Sequence, residues 1–181
     1  MLLIILGLVL WFAAHFLKRL APDLRARMGD KGKAVLGIVT LAGVVLMVIG
    51  YRGAEQVDLW YPPAFMVHIN NLLMLLAFYL YAASGMKTAI TRRIRHPQLT
   101  AVKTWAVAHL LVNGDLASVL LFGGLLAWAV AQVIVVNRAD RTWVRPAPQP
   151  ASREVMAAFG AVVVMVVVML VHNWLGVQPW S

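Results

Sequence analysis

The feature that most constrains this chain is a series of apolar stretches within 181 residues, over 1–17, 34–51, 64–86, 104–112, 115–136 and 155–176. A helix needs ~20 apolar residues to cross the hydrocarbon core of a bilayer. Four of the stretches are clearly long enough and the first is short but usable. The fourth lengthens to about sixteen residues if its helix begins at Pro97, because proline suits a first helical position. In lipid every backbone polar group must find its partner within the protein, which leaves helices as the economical solution here. The expected fold is therefore all-α. It is a polytopic transmembrane helical bundle of about six membrane segments, with the fourth short or re-entrant, forming a single integral membrane domain over 1–181. Composition agrees: 62% of residues are hydrophobic and 13% charged, against about 25% charged in soluble proteins.

The formal net charge of +9 could suggest nucleic acid, but that reading needs a basic face on a folded soluble surface. Here the sixteen basic residues sit in short loops between apolar runs, so no nucleic-acid partner is expected. Six lie in 18–33, one in 52–63, five in 87–103, four in 137–154 and none after 176. Basic loops stay on the cytoplasmic side. If 97–112 crosses, fifteen of the sixteen are cytoplasmic and both termini lie outside. If it does not, the four arginines of 137–154 fall outside. Six crossings of an inner (cell) membrane are the expectation, with Asn113-Gly114-Asp115 forming a break between two helical pieces.

The opening MLLIILGLVLWFAAHFL lacks a basic leader, and its positive charges follow the apolar run, so it reads as a retained first helix. Loop 137–154, with Pro146, Pro148 and Pro150, reads as a stiff linker. Gly37, Gly43 and Gly50 recur at near-heptad spacing and suit close helix packing. Seven tryptophans, Trp11, Trp60, Trp105, Trp128, Trp143, Trp174 and Trp180, mostly suit interfacial belts.

The chemistry lies in the histidines. His15, His68, His109 and His172 fall inside or at the ends of apolar helices, and His96 precedes Pro97. One such histidine is most often an interhelical hydrogen-bond partner. Four in a small bundle fit a cofactor, since imidazole ligates haem and metals and bundle cores build such sites from facing helices. With no cysteine, thiolate sites and covalent c-type haem are excluded. Inward carboxylates are too few for a di-iron site, and H-E-x-x-H is absent. An all-histidine site remains: b-type haem, or a histidine-rich zinc or copper site. If the hydrocarbon begins at Pro97, His109 lies ~18 Å in and approaches His68 and His172. If it begins after Lys103, His109 lies ~9 Å in and approaches His15. Asn113 and Asp115 suit turn and cap duty, or, with His96, a supporting role around a ligating imidazole. Arg95-His96-Pro97 suits a helix start or an anion site at a helix N-terminus.

The stretch RHPQLTAVKTWAVAHLLVNGDLASVLLFG, residues 95–123, strongly resembles the signature of NnrU-type membrane proteins: HP, then a tryptophan, a histidine and NGDLAS. The likeness extends to His15, to VHINNLLMLLAF around His68 and to VHNWLGV around His172. It implies a role linked to expression of nitrite and nitric oxide reductases in denitrification. The family is also similar to the plant 15-cis-zeta-carotene isomerase, a b-haem membrane enzyme. That similarity implies haem b held by His109 and His15, with His68 and His172 as the other candidate ligands. RHP also resembles isoprenylcysteine and phospholipid methyltransferases, but the acidic pair those enzymes carry in the next helix has no counterpart here. Three readings follow. The first is a b-haem membrane protein of NnrU type, with a small apolar or gaseous ligand or a membrane-protein partner. The second is a haem-dependent carotenoid or lipid isomerase. The third is a haem-free scaffold or assembly factor.

Overall fold

In the computed structural model, which describes residues 1–180, the chain is mostly helical, with extended connections over 54–63 and 140–150. The helices are α1 (Leu2–Leu20), α2 (Pro22–Arg27), α3 (Gly32–Arg52), α4 (Met66–Met86), α5 (Pro97–Val112), α6 (Leu116–Ser118), α7 (Gly124–Ala139) and α8 (Ala151–Trp174). A 3₁₀ turn covers Ala89–Arg92, and a π-helical turn, Val119–Gly123, joins α6 to α7 into one rod. The apolar runs correspond to these helices, which continue by a few residues into polar flanks such as Lys18 and Arg19. Long cationic side chains can bury their stems and keep the charge in water, so a helix need not stop where its apolar stretch does. The short α2 and the 3₁₀ turn fall in segments whose composition reads as loop; Pro22 at the first position of α2 is the local signal for it.

Five helical stretches are long and apolar enough to cross a membrane: Leu2–Leu20, Gly32–Arg52, Met66–Met86, Leu116–Ala139 and Ala151–Trp174. Between 11% and 22% of the most apolar part of each is buried inside the protein. Large apolar side chains are exposed on every span, among them Leu6, Ile38, Leu72, Ile134 and Phe159. Soluble monomers rarely expose apolar patches beyond a few hundred Å², so these faces require lipid. The protein is a polytopic helical membrane protein. Helix α5, sixteen residues long, falls short of those spans in length and corresponds to the short fourth apolar stretch.

The chain divides into two compact units. One comprises Met1–Trp60 and Gly114–Ala139, the other Tyr61–Asn113 and Asp140–Ser181. In the first, α1 and α3 run antiparallel at very close range. A Cβ on Gly7 would lie 2.6 Å from the Gly43 carbonyl oxygen, and one on Gly50 would lie 2.7 Å from the Ile4 nitrogen. Two of the three spaced glycines therefore sit in the helix contact, while Gly37 faces open space. In the second unit α4 packs along both α5 and α8. The start of α8 is tied to the end of α4: Tyr79 and the Ala89 N–H both donate to the Glu154 carboxylate, and Arg153 donates to the Met86 carbonyl.

Candidate functional site

The histidines distribute over both units. In the first, His15 lies on the inner part of α1. Its Nδ1–H donates to the Trp11 carbonyl at 2.8 Å. Its ring stacks on Trp11 at 4.3 Å and meets the edge of Trp128, from α7, at 4.9 Å. Trp128 is 6% exposed, so this tryptophan, with Trp11, belongs to the core around His15 and not to an interfacial belt. The indole nitrogens of Trp11 and Trp128 and the side-chain oxygen of Gln132 are buried without a hydrogen-bond partner in the protein. Trp128 and Gln132 were not legible as site residues, because an isolated aromatic or amide in an apolar run carries no spacing signal.

The second unit holds His68, His96, His109 and His172. His68 is exposed at the start of α4. His96 is the residue before α5, and its carbonyl accepts from Thr100, both backbone and hydroxyl. His109 and His172 are half-buried and close enough to interact electrostatically. His109 Nδ1–H donates to the Trp105 carbonyl at 2.9 Å, and His172 Nδ1–H donates to the Val168 carbonyl at 2.8 Å. Asn113 donates from its amide to the His109 carbonyl at 2.8 Å, closing α5 directly beneath that histidine.

Three histidines thus share one arrangement. A carbonyl can only accept, so each Nδ1 carries the proton, and in the neutral ring Nε2 presents its lone pair. A backbone carbonyl on Nδ1 is the usual way in which a ligating imidazole is oriented and its tautomer fixed.

The rest of the NGDLAS motif, from Gly114 on, has a separate role within the first unit. The Gly114 carbonyl accepts from the Leu59 and Trp60 N–H groups at 2.7 and 3.0 Å, and the Leu116 N–H donates to the Val57 carbonyl at 2.9 Å. Asp115 caps α6: Oδ1 accepts from the Ser118 N–H at 2.9 Å and Oδ2 from the Ser118 hydroxyl at 2.6 Å. The Ser118 hydroxyl is also 2.8 Å from the Tyr51 hydroxyl, and the Tyr51 ring meets Phe122 of the π turn at 6.0 Å. Tyr51 and Ser118 complete a network that the motif alone did not reveal; a tyrosine at the end of an apolar run reads as an interfacial anchor. In the second unit Arg95 of the RHP stretch donates to the carbonyls of Asp140 and Thr142 and lies 3.6 Å from the Asp140 carboxylate.

These observations define a multi-span helical membrane protein whose inward polar groups are histidines with fixed tautomers and a capped break between two helices. A family model described as "NnrU protein" matches residues 3–179, nearly the whole chain. The chain belongs to the NnrU family. No curated protein and no solved structure shows a significant match.

Proposed function

We propose that this NnrU-family protein is an inner-membrane b-haem protein serving nitrogen-oxide metabolism, the process with which the family is associated. The observation that carries the haem reading is the shared state of His15, His109 and His172: Nδ1 held by a backbone carbonyl and Nε2 in its ligating form. The donor set fits the group, since neutral imidazoles on helices are ordinary axial ligands of b-type haem. When bound, haem iron supplies a redox and gas-binding centre. The residues orient the ligands and exclude water. Trp105 and Asn113 flank His109 along its helix, and Trp11 and Trp128 enclose His15. His109 is the ligand common to the pairings considered. His172 shares its unit and its electrostatic reach, whereas the carotene isomerase likeness points to His15. Exposed His68 is the weakest of the four.

The experiment is haem content and Soret spectrum of the purified protein and of His109→Ala, His172→Ala, His15→Ala and His68→Ala, with membrane insertion checked for each. Loss of an axial imidazole changes the iron spin state or empties the site. His109→Ala is expected to do so, and whichever of the His172 and His15 variants does the same identifies the second ligand. Full haem and an unchanged spectrum in His109→Ala would refute the site. Haem-free wild-type protein from haem-replete cells would favour the scaffold reading.

A further inference from the structure

We propose that a cleft bounded by α1, α2 and α3 is a seat for a phosphate-bearing anion, filled in the membrane by the headgroup of an anionic phospholipid. The cleft, about 430 Å³, is lined by Ala14, His15, Lys18, Arg25, Lys33 and Leu36. Its three cations come from three different helices. Lys18 ends α1, Arg25 lies on α2 and Lys33 opens α3. No carboxylate lines it. Asp23 and Asp30 are nearby in sequence, yet among the described residues none of the three cations is in an ion pair; the only one runs from Arg95 to Asp140.

The backbone prepares the guanidinium. Arg25 donates to the Gly29 carbonyl at 3.2 Å, and Gly29 sits at φ +55°, a left-handed conformation that glycine adopts without strain. Gly32 completes the seat, because a Cβ there would lie 2.6 Å from an Arg25 terminal nitrogen. Arg25 thus approaches α3 where only glycine allows it, with most of its five N–H donors uncommitted. A guanidinium fork with two flanking ammoniums suits phosphate oxygens. Beneath them Ala14 and Leu36 offer an apolar floor. The site lies where spans α1 and α3 leave their apolar stretches, the depth at which a lipid phosphate sits above its acyl chains. Orphan phosphate shares the headgroup chemistry but has no use for that floor.

The cleft shares His15 with the proposed haem ligands, but its three cations are no part of that reading, and its test reads lipid binding by the full chain in detergent, not haem content. Native mass spectrometry would count bound phosphatidylglycerol against phosphatidylcholine. The wild type is compared with Lys18→Gln/Lys33→Gln and with the control pair Arg27→Gln/Lys31→Gln, which removes the same charge outside the cleft. Phosphatidylglycerol should be preferred, and its affinity should fall about fivefold per cleft cation removed, with the control within about twofold. Gly32→Ala keeps every charge and displaces the guanidinium, although its Cβ also meets the Met28 Cβ at 2.8 Å, so it too should weaken binding. Equal loss in both charge pairs would mean diffuse surface attraction and overturn the site. Displacement of the lipid by millimolar inorganic phosphate, without preference between the two lipids, would overturn the lipid occupant.

Discussion

Gly114→Ala should be among the most damaging single-methyl changes available to this protein. A Cβ at that position would stand 1.9 Å from the Trp60 carbonyl oxygen, where real Cβ atoms essentially never come closer than 3.0 Å. The obstacle is backbone, so no side-chain rotation can yield. The segments must part by about 1 Å, which is enough to break well-formed hydrogen bonds. Three are at stake: Leu59 and Trp60 to Gly114, and Leu116 to Val57. At about 0.5–1.5 kcal/mol each, their loss amounts to about 1.5–4.5 kcal/mol. The measurement is reversible unfolding of the purified protein in detergent, with Gly123→Ala as companion. Gly123 lies nine residues on, inside the rod that follows, with nothing within 4 Å of its added Cβ. Gly123→Ala should be neutral or mildly stabilising, by about 0.5–1 kcal/mol. A Gly114→Ala protein within about 0.5 kcal/mol of the wild type would show that the stitch between 57–60 and 114–116 does not hold the fold together, and the account given of NGDLAS would fail.

Other substitutions test the same physics elsewhere. Gly7→Ala should cost about 1–3 kcal/mol by driving a methyl group into the Gly43 carbonyl and Met47, while Gly37→Ala, in open space, should be neutral or better; the unfolding assay reads both. Tyr51→Phe and Ser118→Ala should each destabilise by about 1 kcal/mol or more and be coupled by about 0.5–1 kcal/mol in a double-mutant cycle; additive values would mean that the Tyr51–Ser118 bond contributes nothing. Lys87, the only non-glycine residue at positive φ among those described, closes α4 at φ 54°. Lys87→Gly should therefore raise stability by about 0.5–1 kcal/mol, and a thermal shift in the opposite direction would contradict that.

What was legible from composition was whatever repeats along the chain. Helix positions follow from the apolar runs, and the break at Asn113-Gly114-Asp115 follows from three residues that all disfavour continuing a helix. Pairwise geometry was not legible. Nothing in an apolar run says that Trp128 turns inward onto His15, or that Tyr51 reaches across 67 positions to Ser118. The glycine spacing shows the same limit: Gly43 and Gly50, seven residues and nearly two full turns apart, touch α1, but Gly37 does not, because the six residues from Gly37 to Gly43 fall about 120° short of two turns and carry it off the contact. The role of Asp115 was open between a cap and support for an imidazole; both of its oxygens are engaged by Ser118.

The short fourth helix decides the topology, and the final prediction rests on it. Helix α5 is ~24 Å long, less than the ~30 Å hydrocarbon thickness, so length alone would allow a re-entrant segment. A re-entrant segment must turn back within itself and return to the face it left. Helix α5 has no interruption between Pro97 and Val112 and packs along α4 as the second arm of a helical hairpin. The residue that follows Asn113 then bonds, through the Gly114 carbonyl, to Leu59 and Trp60 on the loop that feeds α4. The end of α5 and the start of α4 are therefore tethered to one level, as a crossing requires. Polar groups at Arg95, His96 and Asn113 can reach the interface by local thinning of the bilayer, a modest cost for so short a mismatch. If α5 crosses, six passes are expected, with fifteen of the sixteen basic residues on the cytoplasmic side and both termini outside. Alkaline phosphatase fused after Ser181 should be active, and a fluorescent protein that folds only in the cytoplasm should be dark at the same position. Bright cytoplasmic fluorescence there would mean an odd number of crossings with the N-terminus outside, and α5 would then be a re-entrant helix despite its unbroken length.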